Sequence, residues 1–164
     1  MDQRADAPPD DVGSHLGALD ALAQLSFLIW NLLADHASQH DLSMIQTRLL
    51  GVLRDREPAM NELARLLELD KSSVTGLVDR AEKRGLVRRT VSTEDRRAFR
   101  VSLTPLGRRL VERVANEFEA AVTAALAGLS ETEQTVLSGL ASRVVVAHAA
   151  DQGIDLLGVA PGVP

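Results

Sequence analysis

Between residues 63 and 107 the apolar spacing changes period twice, and this limits the folds open to the chain. Leu63, Ala64, Leu66 and Leu67, and then Val74, Leu77, Val78 and Ala81, recur at three and four, the spacing of helices buried on one face. Glu68-Leu69-Asp70 leaves room only for a tight connection between them. Asp70 is placed to cap a helix over 71 to about 84, and Gly85 to end it. Residues 86–91 and 99–103 have strand-type composition and flank a polar stretch, the pattern of a hairpin with a long tip. Thr104 and Pro105 suit the cap and first position of another helix. Aromatics make up only 2% of the chain, with no Tyr, so a sheet-dominated sandwich or barrel is disfavoured and a mainly α fold with one small antiparallel hairpin is expected.

Helical spacing also dominates on either side of this segment. Residues 1–13 read as a flexible arm. Over 14–37 Leu16, Leu19, Leu22, Phe27, Trp30 and Leu33 form a stripe that Leu25, Leu28, Ile29 and Leu32 widen over most of the girth. Such a helix must be covered on more than one side, and in so small a chain the second cover is expected to be another subunit. Ser43 is placed to cap a helix over 44–55; Pro58 breaks the chain, and Asn61 is a candidate cap for the short helix ending at 67. The helix from 105 is expected to reach about 128. Ser130-Glu131-Thr132-Glu133 has capping-box spacing and opens a last helix to about 150. The expected organisation is a lobe at 43–104, pairing helices at 14–42 and 105–152, and a tail at 153–164. No uninterrupted apolar run approaches 18 residues, so no membrane span is expected.

Charge is segregated. From Lys71 to Arg113 there are twelve basic residues against five acidic ones, while the rest of the chain has six against eighteen. A basic middle within an acidic frame suits a polyanion-binding module, although Arg-rich helices can also be plain solvated faces. There is no Cys, which removes disulfides, thiolate metal sites and thiol redox chemistry and fits a reducing cytoplasm. The basic segment holds the sharpest constellation. Opposite Val74, Leu77, Val78 and Ala81, the second helix offers Ser72, Ser73, Thr75, Gly76, Arg80 and Lys83, and Lys71 at its start is a further candidate contact. Short hydroxyls and a glycine let a helix backbone approach base edges in a major groove, and the basic end suits phosphate. Arg96 and Arg97 on the hairpin tip are placed for a minor groove.

These residues resemble the MarR family of winged helix-turn-helix transcription regulators. The resemblance lies in Leu63-Ala64, Ser73-Val74-Thr75, Leu77-Val78-Asp79-Arg80, Lys83-Arg84-Gly85-Leu86-Val87-Arg88-Arg89, Asp95-Arg96-Arg97 and Leu103-Thr104-Pro105-Leu106-Gly107. It implies a winged lobe with N- and C-terminal dimerisation helices, and a homodimer reading pseudo-palindromic double-stranded DNA. It also implies a repressor released by a small ligand, often an anionic phenolic compound. Arg97 becomes the minor-groove arginine, and Asp79 its brace through an ion pair across the lobe.

Several residues carry competing readings. Asp95 orients the wing arginines or caps a turn. Arg88 and Arg89 alternate, so one is expected to face solvent or phosphate and the other the lobe. Trp30 is a candidate to line a ligand pocket, with plain dimer core as the simpler reading. His15, His36 and His40 suggest a metal, but a helix boundary is expected between the last two and no Cys assists, so they are read as solvated surface histidines and no metal or cofactor is expected. No nucleophile elbow, phosphate loop or convincing carboxylate pair is present, so no enzyme is expected. The alternative to a DNA-binding regulator is a winged-helix protein acting mainly through protein–protein contacts.

Overall fold

Each helix of the central lobe starts where local chemistry or the neighbouring chain can satisfy its first N–H groups. The computed structural model describes residues 16–91 and 99–151. The elements are α1 (Ala18–Ser38), α2 (Met44–Asp55), α3 (Met60–Leu67), α4 (Lys71–Lys83), β1 (Val87–Val91), β2 (Phe99–Leu103), α5 (Pro105–Ala125) and α6 (Glu131–Asp151). Ser43 and Gln46 form a reciprocal capping box at α2, and Thr104 Oγ1 accepts from Gly107 N with Pro105 in the first turn of α5. Ser130 and Glu133 do the same for α6, and the Ser130 hydroxyl holds the Glu133 carboxyl below its ordinary range. Gly85, at φ +69°, adopts the left-handed conformation that ends α4.

α3 departs from expectation. Its N-cap is Ala59, with no side-chain cap, and Asn61 is the second residue inside the helix. The sheet fixes this start. Val101 N–H donates to the Pro58 carbonyl at 3.0 Å, and Ala59 bridges to Arg100. Backbone pairing thus holds the chain leading into α3, and a side-chain cap is not needed.

β1 and β2 pair antiparallel from Val87↔Leu103 to Val91↔Phe99. The core lies between this sheet and the helices. Leu49, Leu50 and Leu53 of α2, Leu63 and Leu67 of α3, and Val74, Leu77, Val78 and Ala81 of α4 meet Val87, Val101 and Leu103 there. Val111 and Val114 of α5 join the same core, whereas Leu106 is half exposed.

The flanking helices contribute little to it. Ala37 of α1 and Ala149 of α6 are buried, but Leu19 is 81% exposed, Trp30 56% and Val144 71%. An unpartnered apolar face of this kind marks an interaction surface. By length and composition alone α1, with a mean hydropathy of 1.2 over 18 residues, also matches a membrane-crossing helix, although it holds no uninterrupted apolar run of that length; a core helix of a soluble protein matches equally. Gln24 and Asn31 break the run without lowering the window average enough to matter.

The histidines also differ from expectation. His15 lies outside the described residues. His36 and His40 straddle the end of α1, as expected, but they are not solvated surface groups. Both are half-buried against α5, with His40 Nε2 2.8 Å and His36 Nδ1 4.0 Å from Glu117 Oε2. The two ends of the His40–Glu117 contact lie 77 residues apart, so spacing along the chain carries no sign of it. Among the described residues no three His, Cys, Asp or Glu side chains gather as a metal would require.

Gly107 shows why the turn from the wing into α5 needs a glycine. A Cβ there would drive into the Leu86 carbonyl oxygen, whereas one at Gly51 would meet nothing within 4 Å. Gly107→Ala should therefore destabilise the fold by about 1–3 kcal/mol. Gly51→Ala should be neutral, or stabilising by up to about 1 kcal/mol through helix propensity. Urea unfolding of both variants beside the parent measures the contrast.

Candidate nucleic-acid interface

The exposed face of α4 is organised by one carboxylate. Asp70 caps the helix: Oδ1 accepts from Ser73 N at 2.9 Å and from the Ser72 hydroxyl at 2.6 Å, and Oδ2 accepts from the Ser73 hydroxyl at 2.6 Å. These bonds, led by those from the two hydroxyls, hold the Asp70 carboxyl well below the usual carboxylate range. Thr75 Oγ1 donates to Lys71 O at 2.8 Å. With their protons so directed, the three hydroxyls present lone pairs outward and act as acceptors. Lys71, Ser72, Ser73, Thr75, Arg80 and Lys83 are exposed and Gly76 is half-buried; all but Lys71, in the first turn, lie away from the face of Val74, Leu77, Val78 and Ala81. A Cβ at Gly76 would touch only the Arg80 guanidinium, at 3.4 Å, so the fold itself does not require this glycine.

The wing is fastened to α4 by Arg89. Its guanidinium donates to Glu82 Oε2 at 2.9 Å and to the Thr75 carbonyl at 3.3 Å, and it pairs with Asp79 Oδ1 at 2.6 Å. Its backbone N–H donates to Glu82 Oε1 at 3.1 Å. Arg88, its neighbour, faces outward with Nε on Ser102 Oγ at 3.2 Å. Strand alternation leaves open which of the two meets the lobe, and the structure identifies Arg89. Asp79 was expected to brace Arg97. Among the described residues its partner is Arg89, while Asp95, Arg96 and Arg97 lie outside them.

A cavity of about 1030 Å³ lies between α1, α2, α5 and α6. Trp30, Val52, Phe118 and Val144 are among its apolar lining residues, and Arg48, Arg54 and Asp55 among its polar ones. The Asp55 carboxylate hydrogen-bonds Arg54 through both oxygens at 3.0–3.1 Å, which raises the Arg54 pKa and lowers that of Asp55. On the lobe's other side Arg84 ends α4 by donating to the Asp41 carbonyl at 2.7 Å and the His40 carbonyl at 3.2 Å. Arg48, Arg84 and Glu82 were not singled out from sequence, because each acts on a partner brought close only by folding.

The profile of the MarR family matches residues 40–98. The HTH-type transcriptional regulator PecS of Dickeya dadantii is 31% identical over 145 residues, 86% of this chain and 87% of PecS. The chain belongs to the MarR family. It is thus a DNA-binding transcriptional regulator. Matches to two uncharacterized HTH-type regulators of Bacillus subtilis span 48% and 64% of those proteins. Two solved structures share the fold at lower identity. Staphylococcus aureus MepR in complex with DNA is 21% identical, with a TM-score of 0.64, over 81% of this chain and 99% of that one. NadR in complex with 4-hydroxyphenylacetate is 23% identical, with a TM-score of 0.64, over 80% and 94%.

The Asp70 cap predicts how this MarR-family lobe responds to acid. A carboxyl with a depressed folded-state pKa contributes stability above its unfolded pKa, about 3.9, and loses it as pH falls towards the folded value. Asp70→Asn keeps a capping oxygen without the charge. Thermal melts from about pH 6 to pH 2 should therefore show a smaller loss of stability for the variant than for the parent. Parallel curves would show that the charge on Asp70 does not matter.

Proposed function

We propose that two copies of this chain bind a pseudo-palindromic operator, repress transcription there, and release the DNA when a small ligand of the anionic phenolic class fills the cavity. The exposed face of α4 carries this reading: outward acceptors at Ser72, Ser73 and Thr75, a glycine that the fold does not need, and cations at Lys71, Arg80 and Lys83. Acceptors at the helix N-terminus suit the N4–H and N6–H donors of cytosine and adenine in a major groove. Asp95, Arg96 and Arg97 are assigned the wing's groove contacts on their motif alone. Pairing of copies through α1, α5 and α6 is supported by the exposed apolar faces of α1 and α6. The DNA and 4-hydroxyphenylacetate complexes of MepR and NadR support the two ligand classes. A module working only through protein contacts gives no reason for the bare Gly76 beside Arg80.

Binding to an operator selected from random duplexes, titrated across a salt series, tests the reading. Gly76→Ala should fold as stably as the parent yet bind more weakly by about 1–3 kcal/mol, because its methyl holds the helix off the bases. Arg80→Ala should lower the salt slope of log K by roughly 0.9 for each phosphate that Arg80 neutralises. Sedimentation of the complex should show two chains per duplex. Parent affinity for both variants at every salt concentration would remove α4 as the DNA-reading element.

A further inference from the structure

α5 carries its charges the wrong way round for a helix. Arg108, Arg109 and Arg113 lie in its N-terminal half, and Glu117 and Glu119 in its C-terminal half. The helix dipole favours the reverse order, and the first turn holds no acid to correct it. Arg109 and Arg113 are also four residues apart, a spacing at which like charges repel. All three arginines are exposed, and among the described residues their guanidinium groups make no hydrogen bond or ion pair. Glu112 is the single acid within residues 105–116, and it too is exposed and outside the ion pairs of the described residues. Nothing among the described residues offsets this arrangement, so the three cations are left for an anion from outside the fold.

The arginines start at the joint of α4, the wing and α5. Leu106, Arg109 and Arg113 follow one another at three and four along one side of α5. Leu106 lies beside Gly85, where a Cβ would come within 3.8 Å of Leu106 Cδ2. Thr104 Oγ1 donates to the Gly85 carbonyl at 2.6 Å. Lys83, two residues before Gly85, and Arg88, the second residue of β1, are exposed as well. Cations thus continue from the exposed face of α4, through Lys83, onto the flank of the lobe.

We propose that this flank holds DNA beyond the operator, its arginines neutralising phosphates of a duplex that bends toward the lobe. This rests on the reading that α4 and the wing lie on an operator. From the joint β1 runs to Val91, roughly 14 Å along the strand, so a duplex held at the far end of the wing reaches the flank only by bending. Phosphate is favoured over a protein partner on two grounds. Guanidinium forks fit phosphate oxygens in pairs. A protein interface is centred on apolar and aromatic residues, and the stripe offers only the half-exposed Leu106.

Two duplexes separate the operator from its surroundings. One spans the selected operator alone, and the other extends it on each side by about two helical turns, roughly 20 base pairs. The variant is Arg109→Gln with Arg113→Gln, and log K is followed across a salt series. It should melt no earlier than the parent, because it removes cations that oppose the dipole. If it does melt earlier, Arg113→Gln alone replaces it, with half the change in slope. On the short duplex parent and variant should bind alike. On the long duplex the parent's salt slope should be steeper by roughly 0.9 for each of the four arginines in a dimer. Dyes at the two ends of the long duplex should draw together on binding the parent and not on binding the variant. Equal slopes on the long duplex overturn the proposal, and a loss of repression alongside them makes the arginines a protein contact. A loss of affinity shared equally by both duplexes places the arginines on the operator itself and also overturns it. Absence of parent binding to the short duplex removes the operator reading, and the flank proposal with it.

Discussion

The surface proposed to read DNA depends on a single side chain that it does not display. Arg89 leaves β1 and engages Thr75, Asp79 and Glu82 along one flank of α4. A two-stranded hairpin has little stability of its own, and an exposed helix of 13 residues is marginal without packing. Val74, Leu77, Val78 and Ala81 give α4 its packing, and Val87 and Val101 give the sheet the same core. Packing alone lets the two elements slide. Directional bonds from a half-buried guanidinium fix their relative angle, and in the proposed function that angle sets whether helix and wing enter neighbouring grooves together.

The lobe is held from its other side by the longer helices. Arg84 joins the end of α4 to the turn after α1, and His40 in that turn meets Glu117 on α5. Arg48 joins α2 to the end of α3. The C-terminal end of α4 and the turn that precedes its N-terminus are therefore tied to elements that also wall the cavity or flank it.

Local chemistry was legible in the sequence and long-range chemistry was not. The capping bonds of Asp70 and Thr104, the left-handed Gly85 and the ring of Pro105 all act within a few positions, so helix limits and the hairpin could be placed from them. The alternation of Arg88 and Arg89 showed that they face opposite ways. It could not show that Asp79 and Glu82 wait on one side, because those partners lie on another element. Asn61 misled because a polar residue near a helix start suggests a cap, while the pairing of Pro58 and Ala59 with β2 had already settled that start. The face of α4 was legible because helical period alone separates its buried residues from the rest. Arg48 is one of many basic residues on an amphipathic helix until α3 is folded beside it. Its role could not be read from spacing.

The central claim is that α4 and the wing read DNA as one body fixed by Arg89. The most direct measurement is the operator-binding isotherm of Arg89→Met across a salt series, with folding confirmed by its melt. Methionine keeps an unbranched stem and removes the bonds to α4. Arg89 directs its charge at α4 and not at phosphate, so the account predicts affinity reduced about tenfold or more with an unchanged salt slope. Parent affinity would contradict it, and so would a loss carried entirely by a shallower slope, which would make Arg89 a phosphate contact.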